Sequence, residues 1–165
     1  MKLMTLLSTA ALFTASLAAS DYDALGKAVR SAWPQVGTVA VVCDSTHSKA
    51  AVDAISGALP GMKVIVVDVK GPQDMGKALG TLGTRRPDAV LLVAGDKVAG
   101  DGTSAAAFLI QRMASAKIPT VATTEAGVRQ GAVLGVGPGT GGKLLANAKV
   151  ATVAGVTIPA SASQI

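Results

Sequence analysis

Scarcity narrows the function of this 165-residue sequence before any motif is considered: it has one cysteine, one histidine, one glutamate and four aromatic residues. With a single His, a histidine-rich metal site is excluded, and a nucleophilic triad would have to be built around His47 alone. No Gly-x-Ser-x-Gly elbow or comparable nucleophile motif accompanies it, so the chain reads as non-enzymatic. Cys43 has no partner for an intrachain disulfide, and its place in the apolar run "VAVVC" reads as a buried strand position. The net charge of +5 is carried by scattered residues, of which only Arg85 and Arg86 adjoin. Without a basic stripe or stacking rings, a nucleic-acid surface is excluded.

What is present begins with "MKLMTLLSTAALFTASLAAS", a single Lys near the start, an apolar run from Leu3 to Leu17 and a close in small residues. This is the pattern of a secretory signal peptide over residues 1–20, cut near Ala18, Ala19 or Ser20. The run falls short of the roughly 20 residues that a membrane span needs, so no stable membrane anchor is expected. The location expected is periplasmic or secreted. Residues 21–36 place Leu25, Ala28, Val29, Ala32 and Trp33 on one helical face, and Pro34 ends the pattern.

From there to residue 150, short β-rich apolar runs alternate with helix-like segments. The strand candidates are 38–43, 63–69, 89–95, 120–124 and 132–137, mostly continuously apolar, as strands covered on both faces are. Between and after them, "SKAAVDAISGAL", "PQDMGKALGTLGTR", "TSAAAFLIQRMASAK" and "GGKLLANAKVA" read as helices. The expectation is an α/β, flavodoxin-like doubly wound parallel sheet of about five strands, in the order 2-1-3-4-5. Residues 151–165 read as a tail with one more strand candidate over 150–158.

The segment "GVGPGTGGKLL" comes one residue short of a phosphate-binding loop: from Gly137 it is G-x-x-x-x-G-K, but Leu144 stands where a magnesium-binding Ser or Thr is required. It also follows the fifth strand candidate rather than the first, and an exported chain leaves the compartment where nucleoside triphosphates abound. Glycine-rich turns serve plain geometry as readily. No nucleotide or other cofactor is expected.

In open parallel sheets ligands bind beyond the carboxyl ends of the strands, where the strand order reverses. The residues there are Asp44, Ser45, Thr46, His47 and Ser48 after the first strand, Asp96 after the third, and Thr123, Thr124 and Glu125 after the fourth. Hydroxyls and acids at a helix start cap its free N–H groups; the same N-terminus receives a carboxylate or phosphate. A carboxylate at a strand end pairs with a ligand ammonium. Asp101 or Thr103 caps the helix after the third strand.

In order and spacing, "AWPQVGTVAVVCDSTHSKAAVDAI", "PDAVLLVAGDKV", "KIPTVATTEAGVRQGAVLGVGPGTGGKLLANAKVA" and "GVTIP" resemble the ABC-transporter substrate-binding proteins of the tryptophan/tyrosine-binding type. The resemblance runs from about Leu25 to Pro159 and matches only the C-terminal half of that family. It implies one lobe of a periplasmic-binding-protein fold, with Gly142 opening the last helix and ligand contacts at Ser45 to Ser48, Asp96 and Thr123 to Glu125. The family's first lobe is absent, so one chain does not close a clamshell; a homodimer or a separate partner lobe would restore the cleft. The function implied is an exported lobe that binds a small polar solute, amino-acid-like or anionic, for an ABC permease. The alternative is a structural or interaction module that keeps the lobe and uses it for protein contact.

Overall fold

The computed structural model describes residues 14–165, with side chains from Tyr22 onward. The first helix, α1, runs Thr14–Ala32 and so reaches back into the segment read as a signal peptide; residues 1–13 of that segment lie outside the described residues. Leu25, Ala28, Val29 and Ala32 of α1 are buried, as their spacing requires, and Pro34 stands just past its end. Two bonds tie that end to the tail: the Trp33 indole donates to the Thr157 carbonyl (3.1 Å), and the Thr157 hydroxyl donates to the Ala32 carbonyl (2.8 Å).

Four parallel strand–helix units follow. They comprise β1 (Thr38–Cys43), α2 (Lys49–Ala58), β2 (Lys63–Asp68), α3 (Met75–Arg85), β3 (Ala89–Leu92), α4 (Ser104–Ser115), β4 (Thr120–Thr124), the short α5 (Glu125–Arg129) and β5 (Leu134–Gly139). The sheet order β2-β1-β3-β4-β5 is the doubly wound order expected from the alternation of apolar runs. β1 shows why those runs are continuous. Val39, Val41 and Cys43 enter the core shared with α1 and α2, while Ala40 and Val42 enter the core shared with α3, α4 and α5. Both faces are covered, so alternation disappears from the sequence.

The far edge departs from expectation. The sheet has seven strands rather than about five, because β5 turns into an antiparallel two-residue strand β6 (Leu145–Ala146), and β7 (Ser163–Gln164) pairs parallel with β6. "GGKLLANAKVA" is therefore not one helix, and Gly142 does not open it. Gly141 and Gly142 have φ of 62° and 75°, a left-handed conformation that turns the chain back along β5. The helix α6 (Ala148–Ala154) starts only at Asn147, whose side chain accepts from the Val150 N–H. The strand candidate over 150–158 is likewise replaced, by the end of α6 and a coil. Short helix α5 was hidden in a segment without an apolar period.

Among the described residues no helix is long and apolar enough to cross a membrane.

Candidate functional site

The strand order reverses between β1 and β3, and the loops that follow these two strands meet there. Asp96 makes the junction. Its Oδ2 accepts from the Asp44 N–H (2.8 Å) and the Ser48 hydroxyl (2.6 Å), and its Oδ1 accepts from the N–H groups of Val98 (3.0 Å) and Ala99 (2.9 Å). The residue is 5% exposed. A carboxylate with four donors at close range is spent on fixing its own loops, and offers a ligand little.

Outside this tie lies a more accessible network. The Lys70 ammonium reaches Asp44 Oδ1 (2.5 Å) and Asp68 Oδ1 (3.1 Å) and donates to the Thr46 hydroxyl. Asp44 Oδ2 meets His47 Nδ1 at 2.6 Å, and its Oδ1 also accepts from the Thr46 N–H (3.0 Å). The bonds to Lys70 and His47 hold the Asp44 carboxyl far below the usual carboxylate range. Asp68, bonded first to Ser45 and then to Lys70, is also lowered. Lys70 is correspondingly raised, chiefly by Asp44. All three therefore carry charge near neutral pH. The His47 side chain stands 74% exposed and Lys70 45% exposed, at the open end of the lobe.

Ser48 occupies the N-cap of α2 but makes no capping bond, since its hydroxyl is committed to Asp96. The first turn of α2 thus keeps its N–H groups free of a side-chain cap, with the positive end of the helix dipole at the same edge.

The β4 end is built around a residue that the sequence offered only as a cap. Thr103 caps α4, accepting from the Ala106 N–H, and Asp101 instead turns to β4. Its Oδ2 accepts from the Thr123 N–H (2.7 Å) and hydroxyl (3.1 Å). Its Oδ1 is buried without a hydrogen-bond partner, close under Gly127 of α5, where a Cβ would come within 3.2 Å of that oxygen. Burial pushes the Asp101 carboxyl up. Thr123 is fully buried; Thr124 caps α5 by accepting from the Gly127 N–H (3.2 Å), and Glu125 pairs with Arg129 in the next turn.

The structure thus brings Asp44, Ser45, Thr46, His47, Ser48 and Asp96 into one cluster. Thr123, Thr124 and Glu125 form a second group around Asp101. Sequence reading missed Asp68 and Lys70. The signal for both was available, since "VVDVK" ends the second strand at the same edge.

Cys43, the last residue of β1, is fully buried, and burial together with the nearby carboxylates of Asp96, Asp68 and Asp44 pushes its thiol up to about 12. The glycine-rich segment lies in the β5–β6 hairpin, and no helix starts at Lys143. A phosphate-binding loop needs that helix start, so the near-motif is geometric.

No family model matches the sequence. No curated protein matches it either. Among solved structures, the ABC domain in complex with L-Trp from Streptococcus pneumoniae is similar, with a TM-score of 0.69 at 20% identity over 89% of this chain. This chain spans 59% of that structure's length. A solute-binding protein of an ABC transporter from R. palustris, in complex with benzoate, aligns at a TM-score of 0.44 and 16% identity, over 71% of this chain and 32% of the other. The fold is thus periplasmic-binding-protein-like, and the partial coverage fits the half-length resemblance of the sequence.

Proposed function

We propose that this chain is a non-enzymatic, exported, solute-binding lobe that receives a small polar ligand of amino-acid type at the switch point between β1 and β3. The observation that carries this reading is the pair of exposed side chains Lys70 and His47 gathered on the buried Asp44 carboxylate, on loops that Asp96 ties together. A tied base with exposed polar tips is what orients a small zwitterion: the uncapped start of α2 suits its carboxylate, and the half-exposed Asp68 carboxylate suits its ammonium. Ser45, Thr46 and His47 would touch the ligand, with Thr124 and Glu125 at the flank; Ser48, Asp96 and Thr123 would position them. The likeness to a structure that holds L-Trp supports an amino-acid-like ligand. A single lobe encloses about half of a small ligand, so a homodimer or a separate lobe completes the cleft, and an ABC permease is the downstream partner.

A second reading, an interaction module without a solute, is favoured by one feature. The polar groups at the switch point largely satisfy one another, leaving few unspent. Residues 21–165 should be titrated calorimetrically with an amino-acid and small-anion panel, alongside ultracentrifugation. A dimer or two-component assembly that binds one compound class supports the solute-binding lobe; a monomer indifferent to all of them supports the interaction module.

A further inference from the structure

A cavity of about 490 Å³ lies at the end of the sheet opposite the switch point. Its walls are the segments that precede β1, β3 and β4, together with the coil after α6. Trp33, Val36, Pro87, Ile118, Pro119 and Val156 make it largely apolar. Its volume falls within the roughly 300–1,000 Å³ of small-molecule sites. We propose that this cavity is a second binding site, independent of the solute edge, for a small organic anion with an apolar body, such as a medium-chain carboxylate.

The charge around it decides the sign of the ligand. Two charged residues line the cavity, Asp88 and Lys117. Asp88 is turned to the protein: its Oδ2 accepts from the N–H groups of Gly37 (3.0 Å) and Thr38 (2.8 Å). Lys117 is exposed, and among the described residues its ammonium joins no ion pair. Arg85 and Arg86 immediately precede the lining Pro87, also without an ion pair among the described residues. The C-termini of α3 and α4 contribute about half a negative charge each, less than the full charge of Lys117. Among the charged groups of the lining, Lys117 is therefore the one left free to pair with a ligand, and the partner it selects is an anion.

A backbone observation points the same way. Arg86 (φ 43°) and Lys117 (φ 57°) are the only residues other than glycine with positive φ among the described residues. Each ends a helix in the left-handed conformation that glycine adopts without steric cost. Lys117 donates its N–H to the Ala114 carbonyl (3.0 Å) and Ile118 donates to Met113 (2.9 Å), closing α4. Geometry alone would choose glycine at both places, yet both hold a long cation, Lys117 in the lining itself and Arg86 next in sequence to the lining Pro87. The strain is kept where the charge is useful.

Trp33 is the only tryptophan of the chain and forms a wall of the cavity, so its fluorescence reports this site and not the solute edge. Octanoate should shift the Trp33 emission saturably, and neutral octanamide should bind at least tenfold more weakly. Lys117→Gly should melt no lower than the parent, since glycine relieves the left-handed position, while binding octanoate at least tenfold more weakly. Val156→Phe, which sets a bulkier ring into the cavity wall, should weaken octanoate binding. An unsaturable response, equal affinity for octanamide, or undiminished binding by Lys117→Gly would each overturn the proposal.

Discussion

Replacing Asp96 by alanine removes one acceptor group from four donors at once: the N–H groups of Asp44, Val98 and Ala99 and the hydroxyl of Ser48. Hydrogen bonds to a charged acceptor contribute about 1.5–3 kcal/mol each, so simple addition gives an upper bound well above what a single substitution costs. The Ser48 hydroxyl can rotate and the Val98 N–H can reach water, whereas the Ala99 N–H belongs to a fully buried residue. The loss expected is about 3–5 kcal/mol, the range found when one partner of a buried charged network is removed. In a domain of this size each kcal/mol moves Tm by roughly 3 °C, so Asp96→Ala should melt roughly 10–15 °C lower. Asp96→Asn keeps the Oδ1 acceptor but places an amide donor against the Asp44 N–H, and should lose about half as much. Ser48→Ala, which removes one donor, should cost about 1 kcal/mol. Thermal and urea unfolding of residues 21–165 measures all three. If Asp96→Ala melts within about 3 °C of the parent, Asp96 is not the tie that fixes the two loops, and a direct ligand role returns.

Other outcomes follow from single contacts. Gly26→Ala would place a Cβ 1.9 Å from the Ala58 carbonyl oxygen, so α1 and α2 must part, at about 1–3 kcal/mol read by urea unfolding. Asp44 and Asp68 have lowered folded pKa values, so their stabilisation is present above the ordinary value of 3.8 and is lost as pH falls below it. Lys70→Met should flatten that acid limb in urea midpoints taken from pH 2 to 7; an unchanged limb would mean that the network does not couple to folding. Asp101 behaves oppositely: its raised pKa favours the protonated fold, so its contribution is present at low pH and is lost as pH rises through the folded value. Asp101→Asn should therefore gain stability relative to the parent as pH is raised from 3 to 8, and a flat difference would contradict the buried carboxyl.

The central sheet was legible because each of its strands is a short apolar run bounded by turn residues, and a buried parallel strand leaves that trace. The far edge was not. In β6 the pairing residues Leu145 and Ala146 are only two, too few to show a period, and the decisive signal was the left-handed pair Gly141–Gly142, which reads equally as a helix entry. At the site, the positions of Asp44 to Ser48 and of Asp96 follow from topology alone. Their division of labour does not. Whether Asp96 faces a ligand or its own backbone depends on the path of the 96–101 turn, where Gly100 lies so close to the Asp96 carbonyl that a Cβ would come within 2.2 Å of it. Lys70 escaped because its role comes from a side chain reaching across from the β2 edge, a contact without sequence periodicity.

Cys43 ends β1, which lies between β2 and β3 in the sheet, with its thiol sealed from solvent. A reagent reaches it only when the packing around the end of β1 opens. A thiol reagent supplied in excess would therefore be consumed at the rate of that opening, turning one sulfur atom into a clock for how often this end of the sheet comes apart. In an oxidising compartment the same event is the moment at which two chains could become covalently joined, so the folded state itself guards the lone thiol from disulfide dimerisation.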